Sequence, residues 1–402
     1  MAAHRTLTVG LCLVGVALHA GCGGDDDPAG PDAARADAAL DAARLDAGSP
    51  DAGRDAGPDA ARPPDAGPRD AGGTDTGGDG GPVSIADLCF SEIGGTSGPD
   101  YDRFMPTVGA HCFGTNHQNI AGVQEVVFLG DSVTVGAPNL AHPLASDNSH
   151  FYRNLLAEWL GARYGLSRGG FLDWGLWKSY DAFSGRGARQ TAGDFRNCSK
   201  WGARTDDFLE GGNQIGLCFP SGGSPRTTLV IFTMGGNDIS NITQYGADTG
   251  DVAGAWDRAR SAVMHLDNAI RWLKDPVHFP GGSFVLFGNP FEFTDGTGNV
   301  DSCPAAGLAG FSDWADPTEL ERIVIFILEE YMRIAVETGS DLVWMLEHFC
   351  GHGYVATGAS ADTTNRCYRG FGTPRWFDET CIHPNDAGHR SLFDMFSAVV
   401  AE

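Results

Sequence analysis

The sequence predicts an α/β fold, a three-layer α/β/α sandwich with a mainly parallel central sheet. Four short apolar runs, at 125–129, 227–233, 283–288 and 341–346, have the length and bounding turn residues of buried strands. Between and after them lie segments whose apolar residues recur at helical spacing, and strands that alternate with helices pair in parallel under helices on both faces. In order, the first run ends in Gly130-Asp131-Ser132, and Phe151, Leu155, Trp159 and Leu160 form a helical stripe behind it. The second run ends in Gly235-Gly236-Asn237-Asp238, before a longer stripe of Trp256, Ala259, Val263, Leu266, Ile270 and Leu273. Leu320, Ile323, Ile327, Tyr331 and Ile334 follow the third run, and a closing helix from His389 to Val400 carries Leu392, Met395, Phe396 and Val399. The intervening stretches 161–226 and 289–318 read as long loops that build a substrate rim.

The chain divides into three parts. Residues 1–22 read as a secretory signal, with a short basic head, an apolar stretch too short to span a bilayer, and a lipobox-like end that makes Cys22 the expected lipidation site. Residues 23–82 are almost wholly Asp, Ala, Gly, Pro and Arg, with 14 Asp against 5 Arg. A segment of that composition has too little apolar surface to offset its chain entropy and is expected to be a disordered tether. Residues 83–402 form the folded domain. The whole chain has a formal charge of −25 and no basic stripe, which argues against nucleic acid and leaves an N-terminal lipid as the expected route to a membrane. The expected location is the bacterial cell envelope, or outside the cell. Eight cysteines remain in 83–402, an even number that suggests disulfides in an exported chain. Pairing of near neighbours, Cys198 with Cys218 and Cys367 with Cys381, is the expectation.

Chemistry is read from the strand ends. A strand that stops at a small residue and turns directly into a helix exposes the next side chain at the carboxyl edge of the sheet, beside free helix amides. Ser132 occupies that position, and Asn237 follows the second strand in the same way. His383, in Cys381-Ile382-His383-Pro384-Asn385, lies on a loop before the last helix.

On these residues the chain resembles the SGNH hydrolases, also called GDSL esterases and lipases, across residues 83–402. The GDS motif matches at Gly130–Ser132, the GxND motif at Gly235–Asp238 and the HP element at His383-Pro384, and the loop glycine is best met by Gly202. The resemblance implies a serine esterase or lipase with Ser132 as nucleophile and His383 as general base. The amides of Ser132 and Gly202 with the Asn237 side chain would hold the oxyanion, and no metal or cofactor is needed. The family places Asp three residues before the histidine, where this chain has Thr380. Either Asp378 or a backbone carbonyl near Thr380 is then left to orient the imidazole. Segments 170–205, 229–238 and 286–294 are loosely similar to the acyloxyacyl hydrolase branch, which removes fatty acyl chains from lipid. Acetyl groups on polysaccharide are the alternative substrate, and a non-catalytic surface binding module is the alternative of another class.

Other signals have plainer readings. His348, Cys350 and His352 alternate as zinc ligands do, but in an exported chain Cys350 is expected in a disulfide. Asp295 to Asp301 has oxygen side chains at calcium-loop spacing without the downstream glutamate, which favours a turn-rich loop. Phe171, Trp174, Trp177, Tyr180 and Phe183 suit an acyl or sugar pocket and ordinary packing equally. Asp131 and Asp238 are expected to brace backbone, and His389 to make a structural hydrogen bond.

Overall fold

The computed structural model describes residues 83–144 and 148–402. The expected signal, Cys22 and the tether lie outside the described residues. In chain order the elements used below are α1 (Ile85–Cys89), β1 (Glu125–Gly130), α2 (Ser132–Val135), α3 (Tyr152–Tyr164), α4 (Phe171–Lys178), β2 (Tyr180–Asp181), β3 (Arg186–Gly187), β4 (Thr191–Ala192) and β5 (Phe195–Asn197). They continue with α5 (Gln214–Cys218), β6 (Thr228–Thr233), α6 (Gly236–Thr249), α7 (Val252–Lys274), β7 (Ser283–Gly288), α8 (Pro317–Thr338), β8 (Asp341–Val343), α9 (Met345–Phe349) and α10 (Asp386–Ala401).

The central sheet has six strands in the order β4-β5-β1-β6-β7-β8. All neighbours pair in parallel except β4, which turns back antiparallel to β5. Its layers follow from the period of a strand, because successive side chains point to opposite faces. Val127, Leu129, Val230, Phe232, Val285 and Phe287 pack with Ala259, Leu266 and Ile270 of α7 and Ile323, Ile327 and Tyr331 of α8. Their sequence neighbours Val126, Phe128, Leu229, Ile231 and Leu286 pack on the other side with Leu156 and Leu160 of α3 and Leu392, Met395 and Phe396 of α10. Every residue of β1 and β6 is buried, which is why these strands read as unbroken apolar runs rather than as alternating ones.

Three expectations need correction. The fourth run is a strand only to Val343, and Met345 and Leu346 belong to the buried helix α9, whose Leu346 amide donates to the Asn289 side chain at 3.0 Å. Length alone does not separate a buried strand from a buried helical turn. The stretch 161–226 is not one long loop: it contains α4, the β2–β3 hairpin, β4, β5 and α5. Cys198 pairs with Cys218 as expected, but Cys381 pairs with Cys303, and Cys367 with Cys350. The loop before α8 folds back onto the loop before α10, a contact across 78 residues that spacing in the chain does not reveal. Cys89 and Cys112 form the remaining bridge among the described residues.

Candidate active site

The carboxyl ends of the adjacent strands β5, β1 and β6 carry the site. At the end of β1, Gly130 has φ of 118°, and a Cβ there would lie 2.3 Å from the Thr233 carbonyl oxygen, so only glycine fits. The Gln214 side chain from α5 holds both polar groups of Gly130, accepting from its amide at 2.7 Å and donating to its carbonyl at 2.9 Å. Asp131 caps α2: its carboxylate accepts from the Val133 amide and the Thr233 hydroxyl, each at 3.0 Å. Burial pushes that carboxyl up to about 6. Ser132 is the first residue of α2. At the other end of this short helix the buried guanidinium of Arg153 donates to the carbonyls of Thr134 and Val135, at 2.8 and 3.2 Å. It also donates to Trp177 and Lys178, at 3.0 and 3.2 Å.

At the end of β6, Gly235 has φ of 112°, and a Cβ would meet the Tyr331 hydroxyl at 2.3 Å. The chain turns there into α6, whose first turn holds Asn237 and Asp238. Asn237 Nδ2 donates to the Ala203 carbonyl at 2.9 Å. The Asp238 carboxylate accepts from the Thr205 amide at 3.1 Å and the Thr205 hydroxyl at 2.8 Å. Both fix the loop that leaves β5, on which Gly202 has φ of 69°. The same loop is tied to the turn that carries Ser132, since the Lys200 amide donates to the Gly130 carbonyl at 3.0 Å and the Trp201 indole to the Gly136 carbonyl at 2.9 Å. The expected role of Asp131 and Asp238 as backbone braces is what their contacts provide.

His383 comes from a tight loop closed by a bridge between Phe377 and Pro384. Its entry to α10 is fixed by Asn385, whose side chain accepts from the Gly388 amide at 3.1 Å. His383 Nε2 lies 2.9 Å from Ser132 Oγ. On the other side of the ring, Nδ1 lies 3.0 Å from the Thr380 hydroxyl, which in turn is 2.5 Å from Asp378 Oδ1. Asp378 therefore reaches the imidazole only through Thr380, and neither sequence expectation for the partner of Nδ1, a direct carboxylate or a backbone carbonyl, describes the contact. The sequence showed a hydroxyl only as a missing acid. Burial lowers the imidazole to about 4 and raises the Asp378 carboxyl to about 7.

The remaining candidates are committed elsewhere. His348 Nε2 lies 2.9 Å from the Cys112 carbonyl, His352 Nδ1 lies 2.8 Å from the Pro374 carbonyl, and Cys350 is in a disulfide. Both carboxylate oxygens of Asp295 are engaged by backbone, Oδ1 by the amides of Gly351 and Gly353 and Oδ2 by those of Val355 and Ala356. Trp174 and Trp177 stack 4.8 Å apart in the core, while Phe171 and Phe183 are fully exposed, so the five aromatics do not line one pocket. His389 is buried and accepts from the Tyr152 amide at 3.4 Å. His142, His150 and Asp386 bring ligand atoms within 4.8 Å of one another. The two imidazoles are stacked at 4.0 Å and 19°, and His142 Nε2 lies 2.9 Å from Asp386 Oδ2. A cleft of about 500 Å³ adjoins the His383 loop, with Tyr354, Arg375, Asp378 and Asp386 among its walls.

No family model matches the chain, and no curated protein matches it. Among solved structures it is similar to the extracellular lipase of Streptomyces rimosus, at 17% identity over 69% of this chain and 100% of that one, with a TM-score of 0.41. It is similar also to an acetylxylan esterase of Geobacillus stearothermophilus (15% identity, 71% and 97% covered, TM-score 0.38). A member of the lipolytic G-D-S-L family from Veillonella parvula matches at 13% identity, 70% and 100% covered, with a TM-score of 0.37. Likeness at this level concerns the path of the chain and not its chemistry.

Proposed function

We propose that residues 83–402 form a serine carboxylic ester hydrolase of the SGNH type, acting through an acyl-enzyme. The observation that carries this reading is the 2.9 Å contact between Ser132 Oγ and His383 Nε2, two groups 251 residues apart in the chain that meet at the carboxyl edge of a parallel sheet. A serine hydroxyl is a poor nucleophile until an adjacent base takes its proton, and a buried imidazole held near 4 is neutral at neutral pH and ready to accept it. Ser132 Oγ attacks the ester carbonyl, the proton passes to Nε2, and the collapsing intermediate returns that proton to the leaving alcohol. Water then repeats the sequence on the acyl-enzyme. The oxyanion donors in this reading are the amides of Ser132 and Gly202 and the Asn237 amide hydrogen not engaged by Ala203; each such donor is worth about 3 to 4 kcal/mol of barrier.

The β2–β3 hairpin bears on the substrate. Gly185 accepts from the Trp201 amide at 2.7 Å, which seats the hairpin against the Gly202 loop, and its tip carries the fully exposed Phe183. An exposed aromatic at that rim suits a fatty acyl chain better than an acetyl group. A fluorophosphonate probe should label the wild type at Ser132 and leave Ser132→Ala unlabelled. Aryl esters of graded chain length should be cleaved fastest at medium or long chains. A preference for acetyl would transfer the assignment to polysaccharide deacetylation, and an unreactive serine in folded protein would make the domain a binding module.

We propose also that the domain is exported and held to the cell envelope through lipid on Cys22. The four disulfides support an oxidising compartment. Wild type should fractionate with membranes and Cys22→Ser with the soluble fraction; equal partitioning of the two would exclude the anchor.

A further inference from the structure

We infer that Thr380 is a positioning residue of the active site, a hydroxyl relay that links the buried Asp378 carboxyl to His383 and fixes the imidazole in the tautomer that can accept the Ser132 proton. The inference rests on the esterase reading and deepens it. Its ground is a chain of contacts whose direction only one assignment of hydrogens satisfies. An ionised carboxylate can only accept, so at 2.5 Å the Thr380 hydroxyl must donate to Asp378 Oδ1. The Thr380 amide donates to the same oxygen at 2.8 Å, which holds it as an acceptor and directs any carboxyl proton to Oδ2. With its hydrogen committed, the Thr380 oxygen offers His383 Nδ1 only a lone pair, across 3.0 Å. Nδ1 must then carry the ring hydrogen, and Nε2 faces Ser132 Oγ with its lone pair. Reversal of any one bond would place a hydrogen on Nε2 and disable the base.

The relay also answers a chemical need. Burial makes the imidazole a weak base, and nothing donates or accepts at Nδ1 except this hydroxyl among the described residues. When Ser132 gives up its proton, the imidazolium forms with Nδ1–H still donating to Thr380, whose hydroxyl donates onward to Asp378. No proton leaves the ring and no carboxyl is protonated in this step. Asp378 Oδ2 is buried and unpaired among the described residues, so the carboxylate is poorly solvated until a positive ring stands at the other end of the relay. The groups around Asp378 are Glu379 beside it, the Tyr354 hydroxyl on its carbonyl at 2.5 Å, Arg375 over the Tyr354 ring, and Asp386 in the adjoining cleft.

The test uses the whole protein with a fluorophosphonate and an aryl ester. Thr380→Val and Asp378→Asn should each lower kcat about a hundredfold with KM within twofold, and the double variant should be no slower than either single, because both remove one unit. Thr380→Ser, which keeps the hydroxyl, should restore most of the rate. In the wild type kcat/KM should rise with pH through an inflection near neutrality, where Asp378 ionises, and this inflection should vanish in Asp378→Asn and Thr380→Val. Thr380→Asp combined with Asp378→Asn places a carboxylate directly on Nδ1 and should recover activity without the hydroxyl, even if Thr380→Val folds poorly. Wild-type kcat and pH profile in Thr380→Val, or additive losses in the double variant, would overturn the relay while leaving the esterase intact. A wild type that neither labels nor hydrolyses would instead overturn the esterase reading beneath it.

Discussion

Arg153 is a fully buried guanidinium whose partners are four backbone carbonyls rather than a carboxylate, with the Trp177 ring 4.6 Å from its centre. Burial lowers its pKa only to about 9, so it remains charged at neutral pH. Two of the carbonyls, on Thr134 and Val135, close the helix that begins with Ser132, where a cation complements the negative end of the helix. Arg153→Met keeps most of the apolar stem but strands all four acceptors in the interior. The expected loss is about 3 kcal/mol of stability, seen as a lower denaturation midpoint, together with slower labelling of Ser132 by a fluorophosphonate. Arg153→Lys should fall between, since an ammonium cannot span four carbonyls with a planar fork. A midpoint and labelling rate unchanged in Arg153→Met would show that the helix that begins with Ser132 is held by Asp131 and the sheet alone. The places of Ser132, Asn237 and His383 in the fold were legible because a strand end or a helix entry leaves a local pattern in the sequence. Arg153 and Gln214 were not, because each acts on partners far away in the chain and nothing in their own surroundings distinguishes them from ordinary helix residues, and Thr380 stood out only as the residue in place of an acid, not as a hydroxyl with partners on both sides.

At the level of elements, periodicity was informative where one face is apolar and long. The stripes in α7 and α8 extend over helices of 23 and 22 residues, and both were readable from Leu, Ile and Val at helical spacing. Helix α6, of 14 residues, was not, since it buries only Asp238, Ile242, Thr243 and Gly246, and two of those side chains are polar: Asp238 holds the Thr205 loop, and the Thr243 hydroxyl donates back to the Ile239 carbonyl. Strand β5 has three residues, Phe195 to Asn197, and the middle one is Arg196, so no apolar run marks it. Its existence is decided by pairing with β1, a long-range effect that overrides local preference. The consequence is direct: β5 brings the Gly202 loop to the carboxyl end of β1, where the Lys200 amide meets the Gly130 carbonyl, and a reading that lacks the strand knows the glycine but not what carries its loop there. Trp174 and Trp177 show the same limit from the opposite side, since residues three apart on α4 pack as readily into a core as around a ligand.

Over the whole molecule, the Cys303–Cys381 bridge ties the long segment after β7 to the tight loop that presents His383. Cys381 sits at the apex of that loop with φ of 72°, a left-handed conformation that a β-carbon disfavours, so the loop needs an external constraint to hold its shape. Closing 78 residues restricts the unfolded chain by about 4 kcal/mol in the chain-entropy view, against about 3 kcal/mol for the 23 residues between Cys89 and Cys112. The two bridges therefore differ little as staples and greatly in position. Removing the Cys89–Cys112 pair by double serine substitution should lower the melting temperature and leave kcat unchanged, because that bridge joins α1 to the segment before β1. Removing the Cys303–Cys381 pair should lower the melting temperature by a comparable amount and reduce kcat as well, because Thr380 adjoins Cys381 and the contacts from Asp378 to Ser132 depend on the loop holding its turn. Measured well below both melting temperatures, equal kcat in the two variants would mean that the bridge stabilises the domain without setting the geometry of the histidine.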